Sequence, residues 1–445
     1  MMLSWLLFLL YWVSFCAIVI GYVWTIVMFF AGYGYFRTWR RRPVGREEDY
    51  LWVFLVPALN EEVTIADSVA RLRAVQATHK VILVINDGSD DSTGAILEGL
   101  AGPDLEVLTR VPPDARTGKA AALNAAYHRI LTQVMTRPEH SGFDTDHVII
   151  GIVDADGRLA AQAPAFVARH FDEPEVGGVQ CMVHIYNQES YLTWMQGLEF
   201  EIFGGLFQAG RSRLNTAFMG GNGQFNRLSS LQSIGNGEGE DGPWGQFLTE
   251  DQELGLRELR VGWWGRHELF TTVSQQGLNS LTRLWRQRTR WFQGNLQVLG
   301  HVRDLYSRDL YGFRRLDALF TLVLPILQLI VGTALLVAII LWVFFGVPYL
   351  PLDNGWLTAF FVQLSLGPVI FGVLIAGRGR GWAGVGRIAL VFVPYVVYTW
   401  IMWPVVFMGT WRRLSGRSTW AKTARERISS EPAQDALVYQ DDRAE

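Results

Sequence analysis

Two acidic tracts stand out for what they could hold or move. In Asp154-Ala155-Asp156 two carboxylates lie two residues apart. At that spacing both can share one divalent ion, and Mg2+ typically needs only one or two carboxylates plus substrate phosphates. In Leu248-Thr249-Glu250-Asp251 carboxylates open a helix expected to begin near Gln252. Glu250 and Asp251 either take part in acid–base chemistry or cap the helix dipole, an effect of ~0.3–1 kcal/mol. Lys119, in Thr117-Gly118-Lys119-Ala120, follows a Pro/Gly loop and can reach a phosphate, although the spacing is not a Walker pattern. Asp87, in Asn86-Asp87-Gly88-Ser89, suits a ligand or an ordinary strand–helix turn, and Asp90 and Asp91 suit helix capping. Phe218-Met219-Gly220-Gly221-Asn222-Gly223 is glycine-dense, which permits close backbone approach to a ligand and equally a plain turn.

The elements that must position these residues follow from the apolar pattern. Residues 50–300 alternate short β-rich runs with helical patterns, which predicts a parallel-sheet α/β domain. Leu51–Val56 reads as a strand ended by Pro57, followed by a helix with Ile65, Val69 and Leu72 on one face. Val81–Ile85, Leu105–Leu108 and Val148–Val153 read as further strands, and Ser92–Leu100 as a helix. The acidic loops fall at carboxyl ends of strands, where open α/β sheets gather their ligands. Asn236–Gly245, acidic and glycine-rich, reads as a mobile segment. Trp285–Trp291 and Glu189–Arg211 read as amphipathic helices at a membrane interface, the latter with Leu192, Met195 and Leu198 on one face.

Both ends of the chain are apolar. Half of the 445 residues are hydrophobic, 18% are charged, and tryptophan occurs 18 times. This excludes a disordered chain, and two cysteines exclude a disulfide scaffold. A net charge of −3 carries no nucleic-acid signature. No charge precedes Arg37, and the runs Ala318–Leu352, Asn354–Gly377 and Ile388–Trp411 are also uncharged apart from their flanks, so each is long enough to span a bilayer. A cleaved signal peptide fits poorly, because no cationic region precedes the first run. Arg37, Arg40, Arg41, Arg42 and Arg46 place the middle of the chain in the cytoplasm by the positive-inside rule. By the same reading the Pro348–Trp356 loop is external and Arg378–Arg387 internal. Four alternating spans leave the tail outside, whereas its cations favour the inside. Pro325 is expected to split its run into an interfacial piece and a span, with Pro394 and Pro404 interrupting the last run.

The ordered series Val56-Pro57-Ala58-Leu59-Asn60-Glu61-Glu62, Asn86-Asp87-Gly88-Ser89, Gly118-Lys119-Ala120, Asp154-Ala155-Asp156, Thr249-Glu250-Asp251 and Gln287-Arg288-Thr289-Arg290-Trp291 resembles the membrane-embedded family 2 glycosyltransferases. Cellulose, chitin, hyaluronan and poly-N-acetylglucosamine synthases belong to that group. The resemblance implies an α/β GT-A (Rossmann-like) cytoplasmic domain over residues 37–300. A membrane segment (1–36) would precede it. An interfacial segment with about three transmembrane helices (301–411) and a basic, then polar tail (412–445) would follow. Ser418–Arg425 resembles the tails of several bacterial polymer synthases. Glycines 220, 221 and 223 with Asn222 stand where several synthases carry a Cys/Ser-Gly pattern.

By the same resemblance Ala58, Glu61 and Asp87 would hold the nucleoside of a UDP-linked donor, and Lys119 and Asp154 its diphosphate. Asp156, with Asp154, would bind Mg2+ or Mn2+. Asp251, with Glu250 beside it, would be the general base. Gln287 and Arg290 would close over the donor, with Trp291, Gly221 and Asn222 on the acceptor side. The implied activity is inverting, processive elongation of a β-linked polysaccharide at the plasma (inner) membrane. The alternative is a single transfer to a lipid or lipid-linked acceptor.

Overall fold

The computed structural model describes residues 2–347, 354–378 and 380–416; the expected tail element Ser418–Arg425 lies outside them, as does most of the Pro348–Trp356 loop. Within them, strands β1 (Leu51–Ala58), β2 (His79–Asn86), β3 (Leu105–Thr109) and β4 (Val148–Ile152) pair in parallel. With β5 (Arg158–Leu159), β6 (Val176–Ile185), β7 (Gln224–Arg227) and β8 (Trp264–Gln275) they form one sheet of order β3-β2-β1-β4-β7-β6-β8-β5. The sheet is mixed rather than wholly parallel, because β7 runs antiparallel to β4 and β6, and β5 antiparallel to β8.

Among the described residues thirteen α-helices accompany the sheet: α1 (Met2–Trp39), α2 (Ile65–Ala74), α3 (Thr93–Leu100), α4 (Lys119–Arg129), α5 (Ala163–Phe171), α6 (Tyr191–Ile202), α7 (Ala209–Arg213), α8 (Leu228–Ser233), α9 (Glu250–Arg260), α10 (Leu281–Val298), α11 (Gly312–Phe345), α12 (Gly355–Ala376) and α13 (Gly381–Leu414). Successive side chains of a strand point to opposite faces, and β1 divides its residues accordingly. Trp52, Phe54 and Val56 join α2, α3 and α5 in one core, whereas Leu51, Val53 and Leu55 join α4, α8 and Leu254 of α9 in the other. Burial of β1 on both faces explains its continuous apolar run.

Three expectations are corrected by this fold. Pro57 does not end β1, which runs to Ala58; pairing with β4 stops at Leu55, so the missing proline N–H costs no ladder bond there. Pro325 lies inside an unbroken α11, and Pro394 and Pro404 inside an unbroken α13. One lost bond in a 34-residue helix does not divide it. The Asn236–Gly245 segment is held rather than loose. Trp244 is fully buried, its N–H donates to Asn124 Oδ1 (3.0 Å), and Asn124 Nδ2 donates back to its carbonyl (2.8 Å).

Among the described residues four helical spans, Trp5–Trp39, Gly312–Phe345, Thr358–Ala376 and Gly381–Leu414, are long and apolar enough to cross a membrane. The first is fastened to the α/β domain. A Cβ on Gly32 would lie 3.1 Å from the Leu206 carbonyl oxygen, and one on Gly210 2.8 Å from that of Met28, so α1 and α7 meet backbone to backbone. Tyr35 donates to the His267 carbonyl (3.0 Å), and the Trp39 ring stacks on His170 at 3.9 Å. The stretch Glu189–Arg211 is helical from Tyr191, as α6, a π-helical stretch Phe203–Gln208 and α7. Its Met195 and Leu198 are fully buried against α12 and α13.

Candidate active site

Ala58 ends β1, Asp87 follows β2, and Asp154 and Asp156 follow β4, so three adjacent parallel strands deliver their carboxyl ends to one edge. That edge opens into a cavity of about 530 Å³, and every candidate site residue lines it: Ala58, Glu61, Asp87, Lys119, Asp154, Asp156, Gly221, Asn222, Glu250, Asp251, Gln287, Arg290 and Trp291. A volume of this size suits a small-molecule ligand, for which ~300–1,000 Å³ is usual.

At one end Asp87 is buried and held by Arg110 Nη1 at 2.6 Å. Arg116, which also lines the cavity, donates twice to the Gly88 carbonyl (2.9 and 2.7 Å) and shapes the same turn. Neither arginine is singled out by sequence reasoning, although Arg110 stands directly after β3 and Arg116 in the loop that leads to Lys119.

The centre is a knot of charge. Lys119, first residue of α4, lies 2.8 Å from Asp154 Oδ1 and 3.7 Å from Glu250 Oε1. Burial disfavours the ammonium, but Asp154, Glu250 and Asp251 outweigh it and hold the Lys119 pKa above its ordinary value. The helix carrying the acidic pair begins at Glu250, two residues earlier than expected, so both carboxylates occupy its first turn. Burial, reinforced by the neighbouring Glu250, pushes Asp251 up to about 7, against the opposing pull of Lys119. A carboxyl titrating near neutrality is suited to taking a proton and returning it.

Gly221 and Asn222 serve this centre. Gly221 has φ +77°, and a Cβ there would stand 3.0 Å from Asp251 Oδ2 and 3.4 Å from Lys119 Nζ. Only glycine brings its backbone so close without strain. Asn222 accepts from the Asp154 amide (3.1 Å) and donates to Gln275 Oε1 (3.0 Å), so its side chain fixes the carboxylate loop. Gln180, missed in the sequence, receives the Gly220 amide (2.7 Å) and donates to the Asn222 carbonyl (2.7 Å).

The far end is built by α10 and α6. Arg288 donates to Gln287 Oε1 (3.0 Å) and Glu199 Oε2 (2.5 Å), while Tyr398 of α13 donates to the same Glu199 oxygen (2.8 Å). The Arg288 guanidinium lies 4.1 Å from the centre of the Trp291 ring, which packs edge-on against Phe200. The cavity is also lined by Thr321, Leu324, Pro325 and Gln328 of α11, one face at helical spacing.

A mixed α/β sheet with an acidic, cation-bearing cleft at its strand carboxyl ends defines a GT-A transferase domain. The chain belongs to glycosyl transferase family group 2, whose match covers residues 149–408, more than half of it; glycosyl transferase family 2 matches residues 53–235. β-Monoglucosyldiacylglycerol synthase of Trichormus variabilis is 32% identical over 270 residues, 59% of this chain and 52% of that protein. Poly-β-1,6-N-acetyl-D-glucosamine synthase of Staphylococcus aureus is 26% identical over 262 residues, 57% of this chain and 56% of that protein. The chain thus spans about half the length of the curated relatives it matches. A mannosyltransferase from Pyrobaculum calidifontis, solved with GDP-Man and Mn2+, shares the fold with a TM-score of 0.57 at 16% identity, covering 93% of this chain and 99% of that one.

Proposed function

We propose that the chain transfers a sugar, with inversion, from a UDP-linked donor to a lipid acceptor at the cytoplasmic face of the inner membrane. In this reading residues 37–300 are the catalytic unit and the apolar helices on either side are the membrane part. The observation that carries it is the lining of the cavity. Asp251 shares it with Lys119 and Arg290 and with Thr321, Leu324, Pro325 and Gln328 of α11, and among the described residues no other candidate span contributes to the lining. A site walled by an apolar span would admit an acceptor lying in the bilayer. The first curated relatives named above, synthases of a glucosyl lipid, support the same acceptor class.

The chemistry is a single displacement. Asp251 takes the proton of the acceptor hydroxyl as its oxygen bonds to the anomeric carbon, and the bond from that carbon to the diphosphate oxygen breaks. Negative charge grows on the departing diphosphate, where Lys119 and Arg290 stabilise it. Asp87 and Glu61 bind the nucleoside, and Trp291 positions the acceptor. The donor set also fits a hard divalent cation. Asp154 and Asp156 both line the cavity, and among the described residues no group of three or more His, Cys, Asp or Glu forms a cage of its own. Phosphate oxygens would complete the shell, as Mg2+ and Mn2+ prefer oxygen donors. Held there, the ion supplies neutralisation of the diphosphate.

Processive polymer synthesis is the second reading, favoured by the series Gln287-x-x-Arg290-Trp291 and by the poly-N-acetylglucosamine synthase relatives. The full chain in vesicles containing diacylglycerol, given labelled UDP-glucose, UDP-N-acetylglucosamine or UDP-glucuronate, separates the two. A lipid-extractable product bearing one or two sugars is expected. Long polymer as the sole product overturns the lipid reading in favour of the second.

A further inference from the structure

Where the cavity meets α11, a buried guanidinium forms part of its wall. Arg211 is 4% exposed and lines the cavity. Its Nε lies 3.4 Å from Asp317 Oδ1, its Nη2 donates to Thr321 Oγ1 at 2.6 Å, and its guanidinium carbon stands 5.3 Å from the centre of the Phe218 ring. Asp317, fully buried, also accepts from Thr216 at 2.5 Å. The arginine is therefore fixed from two sides, and its charge is matched by one carboxylate.

The α11 wall beside it is polar at two points. Pro325 has no N–H to give the Thr321 carbonyl four residues earlier, which leaves that oxygen without its usual intrahelical donor, and both residues line the cavity. Two turns beyond Thr321, Gln328 places an exposed amide on the same face. Polar side chains within an apolar span are costly and mark functional sites. Leu324 and Pro325 lie between the two, so the wall alternates polar and apolar patches.

We infer that Arg211, the Thr321 carbonyl and Gln328 form the acceptor-head subsite, and that it selects an uncharged, hydroxyl-bearing head over a phosphate-bearing one. Donors and acceptors are both present, as hydroxyls require. The cation of this wall, Arg211, is already compensated by Asp317, so a phosphate bound there would bring charge that finds no uncompensated partner. Arg211 acts here through binding of the acceptor, not through the transferred sugar. The inference rests on the lipid-acceptor reading for its source of hydroxyls, but its chemistry is shared by a sugar chain end.

The test uses the purified full chain in vesicles of phosphatidylcholine carrying diacylglycerol, monoglucosyldiacylglycerol or phosphatidylglycerol, with a soluble oligosaccharide as a separate arm. The donor is the UDP-sugar found active in the preceding assay. Wild type is expected to favour the two neutral lipids over anionic phosphatidylglycerol by about tenfold or more. Arg211→Met should raise the acceptor KM by about tenfold to a hundredfold, the usual cost of losing a charged hydrogen bond, with the donor KM within about twofold. Asp317→Asn should narrow the neutral-to-anionic ratio, because Arg211 then lacks its counter-charge. Gln328→Leu and Thr321→Val should raise the acceptor KM in the same direction, and they carry the test if the Arg211 or Asp317 variants do not fold. Equal use of phosphatidylglycerol by wild type, or a donor KM that rises as much as the acceptor KM, overturns the inference. If only the oligosaccharide is extended, the lipid reading fails. The subsite then stands if these variants raise the KM for that oligosaccharide, and falls if they do not.

Discussion

Lys119 donates to Asp154 across 2.8 Å, joining the first turn of α4 to the end of β4. The same ammonium is 3.7 Å from Glu250 and lowers the proton affinity of Asp251, so one cation connects Asp154 with the proposed base. Replacing it by an uncharged side chain of similar length removes that pull. In Lys119→Met the acidic limb of the pH–kcat/KM profile is expected to move above its wild-type position, together with a loss of donor affinity. A limb that stays in place would show that the Lys119 charge does not reach Asp251.

With Asp251 as the proposed base, wild-type activity should rise with pH through about 7, since the base must be ionised to accept a proton and burial and Glu250 push its pKa up to about 7. Asp251→Asn should lose the limb and about 10²–10⁴-fold in kcat, the usual contribution of a general base, while still binding UDP. Full turnover by this variant would remove Asp251 from the reaction.

Gly221 tolerates no side chain. An alanine there would meet Asp251 Oδ2 at 3.0 Å in a backbone conformation of φ +77° that favours glycine. Gly221→Ala should cost about 1–3 kcal/mol of stability and most of the activity, read by thermal unfolding and donor turnover. Gly235, also at positive φ but with nothing near its Cβ, is the control; Gly235→Ala should lose less stability and keep its turnover.

Glu258 lies buried on the helix that carries Asp251, and burial pushes it up to about 7 despite bonds from Ser230 (2.5 Å) and Asn226 (2.9 Å). The folded chain holds this proton more tightly than the unfolded chain, whose ordinary value is 4.5. The stabilisation is complete below 4.5 and is lost as pH rises to about 7. Glu258→Gln keeps the accepting oxygen and removes the ionisation. It should stabilise the protein by about 1–3 kcal/mol at pH 8, and by much less at pH 5, in denaturation measurements.

The donor half of the site was legible because its residues follow strands directly: Asp87 after β2, Asp154 and Asp156 after β4. Local pattern and chemistry coincide there. The hidden parts are those that need the tertiary fold. Arg110 with Asp87, Arg211 with Asp317, and Glu199 with Arg288 and Tyr398 join segments whose separation along the chain carries no signal. β7 was illegible for a different reason. Its sequence Gln224-Phe225-Asn226-Arg227 lacks apolar alternation, yet every residue is buried. The polar ones are accommodated by mutual bonds, Gln224 to Asn226, Asn226 to Glu258, and Arg227 to the carbonyls of Val176 and Phe171. Pro57 misled because its missing N–H faces no ladder partner, and Pro325 because a long helix survives the one bond lost there.

The glycine contact between α1 and α7, with Tyr35 and Trp39 above it, has a consequence for substrate choice. On the proposed reading, a catalytic domain clamped to a membrane helix in this way would not slide along the bilayer normal, so Asp251 would work at one fixed altitude. The face of α11 that lines the cavity covers only about 10 Å from Thr321 to Gln328 at the ordinary helical rise. A lipid acceptor would then be chosen partly by how far its hydroxyl protrudes from the bilayer, and bilayer thickness would become a determinant of turnover alongside the chemistry of the head.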